Sequence, residues 1–286
     1  MLTEQSITTA DIQDAAIDFP EVTQRQMACT DLYLGIKKWR IWAMLASQDI
    51  KLRYRRSILG PFWITISMAI TVYSMGYLYS RLFHVDLQHY FPFLVAGMLG
   101  WSLISTMVTE YTDGFVTSDG LIKQVKLPYS LHIHRIIYRN IIIFFHNIIV
   151  IVPIIALFHD YAKINWYTLL LFPGLAVLYV NAMSYGMILA MLGARYRDIA
   201  QVIKSLIQVI FFITPVMWDP SMLSPKNQFI MSFNPFYGFL QIIRQPLLGQ
   251  MPTKMTFIIV LFVSVFGIIL SFLMFMRYRA RIVYWL

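Results

Sequence analysis

The chain has 286 residues, of which 58% are apolar and 13% charged, and its mean hydropathy is +0.63. Soluble domains run at roughly 45 to 50% apolar and 25% charged, so an ordinary water-surrounded core is excluded and spans, not domains, are counted. The 23 Lys and Arg outnumber 14 Asp and Glu, but they sit in short clusters between apolar runs, which marks membrane topology and not a nucleic-acid face. A single cysteine, Cys29, leaves no intrachain disulfide and no Cys-rich metal framework.

Residues 1–33 read as a polar, uncleaved cytosolic extension. The stretch through Asp31 carries Glu4, Asp11, Asp14, Asp18, Glu21 and Asp31 against Arg25 alone, without the apolar core of a signal peptide. Residues 34–57 read as an amphipathic helix on the membrane surface, with Leu34, Ile41, Leu45 and Leu52 on one stripe, Trp42 beside it, and Lys37, Arg40, Lys51 and Arg55 on one flank. Asp49 interrupts that stripe. A solvated cytosolic helix is the alternative. Gly60-Pro61 then breaks the chain before it enters the membrane.

Residues 58–286 hold six stretches of the roughly 20 apolar residues that a span requires. They are Phe62 to Phe83, Pro92 to Tyr111, Ile136 to Phe158, Trp166 to Leu192, Ile199 to Trp218 and Phe257 to Met276. All are continuously apolar, so the fold expected is all-α with six transmembrane helices, not a barrel. Lys and Arg number 18 on the side of the termini and five on the other, which puts both termini in the cytosol. Between the fifth and sixth spans, Asp219 to Thr253 is cut by Pro220, Pro225, Pro235, Pro246 and Pro252 into short apolar pieces, expected to form re-entrant external helices; an irregular loop is the alternative.

Chemistry is sparse. None of the thirteen glycines is followed by Lys, so no phosphate-binding loop exists and the chain cannot hydrolyse ATP by itself. The spans hold almost no ionisable residues: Glu110, Arg139 and Lys204 lie near predicted cytosolic ends, which disfavours an ion relay. Glu110 with Asp113 is the nearest carboxylate pair, and a solvated or Arg-paired helix end explains it better than catalysis. The histidine pairs His84 with His89 and His132 with His134 lack an acidic third ligand, and no metal site is expected. Aromatic residues are the abundant chemistry. Trp63 and Trp101 suit interfacial anchoring, yet Trp63 with Tyr73, Tyr77 and Tyr79 also suits stacking on sugar rings along a path.

Several strings together resemble the permease subunit of polysaccharide-exporting ABC-2-type ABC transporters. They are Asp49-Ile-Lys-Leu-Arg-Tyr-Arg-Arg-Ser-Ile-Leu-Gly60-Pro-Phe-Trp63, Leu121-Ile-Lys-Gln-Val-Lys-Leu-Pro128, Gly193-Ala-Arg-Tyr-Arg-Asp-Ile199, Thr214-Pro-Val-Met-Trp218, and Asn234-Pro-Phe236 through Arg244 to Leu248-Gly249. Gln48 departs from the family, which often has Arg there. The resemblance implies a homodimer in the bacterial cytoplasmic membrane, two copies of a separate ATPase that binds ATP and Mg, and a polyprenyl-diphosphate-linked polysaccharide of O-antigen, capsule or teichoic-acid type as cargo. It places ATPase coupling at Asp113, Asp119, Lys123 and Lys126, with a second contact at Arg195, Arg197 and Asp198; positive-inside anchoring explains the two arginines equally well. Arg53, Arg55 and Arg56 would meet either the cargo's diphosphate or lipid headgroups. Pro215, Asn234, Pro235 and Arg244 would form the external gate. An ABC-2 permease for a drug or another lipid, and a membrane enzyme acting on polyprenyl-linked sugars, are the rival readings.

Overall fold

A computed structural model describes residues 23–286, apart from 56, 61, 83, 221 and 222. Two helices, α1 (Gln24–Lys37) and α2 (Trp39–Arg53), precede α3 (Phe62–Leu82) and α4 (Leu87–Thr112). A short α5 (Asp119–Gln124) leads to α6 (Tyr129–Asn147), which continues through a 3-10 turn into α7 (Val152–Leu157). Then come α8 (Leu171–Arg195), α9 (Ile199–Ile213), α10 (Pro225–Ser232), α11 (Pro235–Leu247), α12 (Lys254–Tyr278) and the terminal turn α13 (Ile282–Trp285). Helix α4 is central, touching α3, α6, α8, α9 and α11.

Five segments are long and apolar enough to cross a bilayer: Phe62–Leu82, Leu87–Thr112, Tyr129–Leu157, Trp166–Arg195 and Lys254–Trp285. The chain is therefore a multi-pass membrane protein. The expected fifth span, Ile199 to Trp218, contains only the 15-residue α9. At about 1.5 Å per residue it covers about 22 Å of a hydrocarbon layer about 30 Å thick. Its end is local chemistry: Thr214 precedes Pro215 and is extended, at ψ 132°, because a following proline disfavours the helical region. The two helices expected between the fifth and sixth spans are α10 and α11. Both begin at proline, Pro225 and Pro235, where the missing N–H costs nothing.

The N-terminal boundary differs from the one expected at residue 34. Residues 1–22 of the expected extension lie outside the described residues, but helix begins at Gln24, capped reciprocally by Thr23 and Gln26. It pauses only at Lys38. Both halves lie on α6. The Trp42 ring stacks on His134 at 5.6 Å and meets Tyr138 edge-on at 5.2 Å, and its Nε1 donates to the Gly35 carbonyl. Of the expected stripe, Leu34, Ile41 and Leu45 are half-buried and Leu52 is exposed. The open face also shows Tyr33, Ile36, Trp39 and Met44, with Lys37 over Tyr33 and Arg40 over Trp39.

Asp31 explains why α1 docks. Helix α6 starts after Pro128 with no cap of its own, and its first N–H groups would otherwise be buried unpaired. The Asp31 carboxylate accepts from the N–H groups of Tyr129 at 3.1 Å and Ser130 at 3.0 Å, and from Arg279 Nε of the distant C-terminal segment at 3.2 Å. A negative group belongs there, at the positive end of a helix dipole. Close packing completes the bundle at the same end: a Cβ on Gly193 of α8 would run into the Thr112 carbonyl of α4. Asp31→Ala strands two helix donors and a guanidinium; the expected loss is about 2 to 4 kcal/mol of unfolding free energy, read by thermal unfolding in detergent, with faster proteolysis across residues 24–53.

Candidate functional site

The site has three parts, and the first is a cluster of charges at the arginine-rich end. Arg135 and Arg139 stand one turn apart on α6, so both face α2 and α4. Arg135 forks onto Asp49, with Nε at 2.8 Å from Oδ2, and Arg139 Nη1 reaches the same oxygen at 2.8 Å. Arg139 Nη2 donates to Glu110 Oε2 at 2.8 Å, Asn140 Nδ2 donates to that oxygen too, and Arg53 Nη2 meets Glu110 Oε1 at 3.4 Å. One network thus joins α2, α4 and α6. Burial by itself raises the Asp49 carboxyl, but hydrogen bonds and charge from Arg135, then Arg139, outweigh it and hold the group below its ordinary value.

Behind this cluster lies a polar cavity of about 350 Å³ whose far wall is Asp113, Thr117 and Ser118, the start of the connector from α4 to α6. His132, buried with both ring nitrogens unpartnered, also lines it. The connector projects as α5, which buries no residue of its own. Asp119 pairs with Lys123 along it at 2.9 Å, and Lys126 is exposed just beyond. Asp113 faces Lys204 of α9 at 3.6 Å. Arg195, Arg197 and Asp198 are exposed where α8 turns into α9, and the Arg195 guanidinium covers Tyr196 and Trp285. Of the basic trio, Arg53 joins the cluster, Arg55 is exposed, and Arg56 lies outside the described residues.

The second part is a polar face at membrane depth. Gln201, Lys204, Ser205 and Gln208 recur at helical spacing on α9, and all are exposed. On α4 the half-exposed residues Met98, Ser102, Ser105 and Thr109 form the corresponding stripe. Between the two helices Ser105 and Gln208 share an open groove of about 520 Å³ with Trp101, Phe211 and Phe212. Helix α3 adds Trp63, Ser67, Thr71, Ser74 and Tyr77, also exposed. Hydroxyls and amides displayed at this depth are disfavoured against lipid and suit water or a polar guest. The proposed aromatic residues divide. Trp63 and Tyr77 stand on the open face, with Arg81 over the Tyr77 ring. Tyr73 donates to the Val150 carbonyl at 2.7 Å and packs against Phe91. Tyr79 packs partly buried against the core. Trp101 is 6% exposed between Phe211 and Phe236.

The third part, at the opposite end, brings together the four residues assigned to a gate. Asn234 caps α11 by accepting from Phe236 N at 2.9 Å, and its Nδ2 donates to Thr214 Oγ1 at 3.0 Å; Pro235 is the first helical residue. Arg244, fully buried, donates from Nη1 to the Pro215 carbonyl at 2.8 Å and lies 4.1 Å from the Phe93 ring centre. Tyr90 donates to the Met217 carbonyl at 2.7 Å. The turn that ends α9 is therefore held by α4 and α11. Gly97 of α4 permits it, because a Cβ there would sit 2.8 Å from the Val216 carbonyl.

Sequence reasoning passed over Asp31, Asp49, Arg135 and Arg139 as functional residues. Their signal was present: an acid spoiling an apolar stripe, and two arginines one turn apart entering a span. The sequence profile of the ABC-2 type transporter family matches residues 40–248, and the chain belongs to that family. An O-antigen export system permease protein RfbA of Klebsiella pneumoniae is 20% identical over 201 residues, covering 69% of this chain and 76% of that protein. The RfbA permease of Myxococcus xanthus is 22% identical over 202 residues, covering 68% and 75%. Family membership makes the chain a transport subunit that works with an ABC ATPase.

Because the native Asp49 carboxyl titrates below the ordinary 3.8, its pairing contributes stability that is complete above that value and disappears as pH falls through the lowered one. Asp49→Asn is expected to lower the unfolding midpoint at about pH 7 and to flatten the acid-side fall below about pH 4; unchanged acid sensitivity in thermal melts counts against the cluster. In a double-mutant cycle, Asp49→Ala and Arg135→Ala couple by about 1 to 3 kcal/mol.

Proposed function

We propose that the chain is the transmembrane subunit of an ATP-driven exporter that moves a lipid-linked polysaccharide across the bacterial inner membrane. The observation that carries the reading is the groove between α4 and α9, into which Ser105 and Gln208 are set at a depth where lipid-facing helices are apolar. Family membership and relatives named for O-antigen export support it.

The arginine-rich end and both termini face the cytosol, as the excess of Lys and Arg there favours. Two copies set their polar faces toward each other and enclose a wet path, in which hydroxyls, Gln208 and exposed rings such as Trp63 and Tyr77 exchange contacts with a sliding glycan. The nucleotide and its Mg are bound by the partner ATPases, which press on α5 and on the turn at Arg195, Arg197 and Asp198. Force on α5 reaches α2, α4 and α6 together because the cluster of Asp49, Glu110, Arg135 and Arg139 ties them. At the external end, the Pro215 and Asn234 contacts give way when α9 shifts, provided the bundle has two stable arrangements. Arg53 and Arg55 stand beside the cytosolic entrance, where a diphosphate would pass.

Cells lacking this chain but keeping its ATPase are expected to lose surface glycan and accumulate finished polymer inside. Accumulation of an unelongated precursor would overturn export in favour of a membrane enzyme. The double variant Ser105→Ala, Gln208→Leu is expected to assemble normally but to export about tenfold more slowly, the scale of one or two lost hydrogen bonds, as measured by surface glycan per cell.

A further inference from the structure

Export as proposed requires α9 to follow the connector that joins α4 to α6, yet all of α6 and α8 separate the two along the chain. Three faces divide α9. Ile203, Ile207, Ile210 and Phe211 pack inward against the core, Val202, Leu206, Val209 and Ile213 are exposed on an apolar stripe, and Gln201, Lys204, Ser205 and Gln208 form the polar stripe. Only Ile207 is buried. Apolar contact has no preferred direction, so a stripe this narrow fixes the height and rotation of α9 on α4 only loosely.

Lys204 supplies a directional contact. It is the one ionisable residue of α9, on the second turn of a helix otherwise fit for hydrocarbon, where a charge is costly and kept for use. Its Nζ lies 3.6 Å from Asp113 Oδ2, the one ion pair that α9 makes among the described residues. Asp113 is the residue at which α4 ends and the connector begins. Its carbonyl accepts from Thr117 N at 2.8 Å and from Thr117 Oγ1 at 2.9 Å, closing the turn that leads to α5. The side chain of Asp113 thus holds α9 while its backbone holds the connector.

We propose that Lys204 is a positioning residue for export: through Asp113 it makes α9 follow the connector, so that displacement of α5 shifts the polar stripe beside the groove. The inference rests on the export reading and adds to it the link between ATPase contact and cargo path. A lysine that merely reaches up to the headgroup layer has no need of Asp113, and that difference is measurable.

The test uses the full-length protein with its ATPase in proteoliposomes, the cargo being the lipid-linked polymer extracted from cells that lack the chain, and reads polymer translocated per ATP hydrolysed. Lys204→Gln and Asp113→Asn are each expected to lower that ratio about fivefold, the scale of one partly exposed ion pair, whereas Lys204→Arg stays within about twofold of the native protein. Exchanging the charges, Asp113→Lys with Lys204→Asp, is expected to recover most of what either single reversal loses. Normal size-exclusion profiles and co-purification of the ATPase establish that the variants assemble. Loss in Lys204→Gln with none in Asp113→Asn marks a headgroup anchor and overturns the proposal. Loss in Asp113→Asn alone marks a direct contact with the ATPase and overturns it too, as do unchanged ratios in both, or an exchange no better than the worse reversal. Each of these outcomes leaves export standing; native protein that moves no polymer overturns the export reading, and this link with it.

Discussion

Helix α6 enters the bundle with unpaired N–H groups at its start and two arginines about two and three turns further on, and carboxylates from other helices satisfy them. Asp31 of α1 accepts from the first N–H groups, Asp49 of α2 takes Arg135 and part of Arg139, and Glu110 of α4 takes the rest. Removing Asp31 strands two helix N–H groups, and removing Asp49 leaves the half-buried Arg135 without its partner, which costs more than the pair contributes net. That constraint fixes the N-terminal helices against the bundle. It also makes α2, α4 and α6 move as one body where the connector α5 emerges.

The other end is held differently. The Arg244 guanidinium donates to the Pro215 carbonyl and to Gln241, lies over the Phe93 ring, and has the charge of Asp219 nearby. Backbone carbonyls freed by the break after α9 are the acceptors. Such bonds are neutral at one partner and so weaker than the bidentate Arg135–Asp49 pair.

Much of the fold was legible. Long apolar runs marked where five long helices lie because bilayer thickness dictates helix length, though Tyr129–Leu157 starts seven residues before the run that marked it. Proline at Pro225 and Pro235 marked the short helices. The fifth apolar run was drawn longer than its helix, since Phe211 to Trp218 is apolar enough to extend it on hydropathy while Thr214-Pro215 ends α9 on backbone sterics. Among site residues, Asn234 and Arg244 were found through resemblance and do meet Thr214 and Pro215. The polar stripe of α9 was readable from Gln201, Lys204, Ser205 and Gln208, but a hydropathy average hides it.

By itself the sequence determined the solvent, because that depends on composition and span length, and pointed to the class through short strings that resemble a known family. Only the tertiary structure decided which charges meet: Asp31 lies 98 residues from Tyr129 and 248 from Arg279. A one-dimensional pattern reports the face on which a residue lies, whereas the cost of burying an unpaired charge is settled by whatever another helix brings to that face.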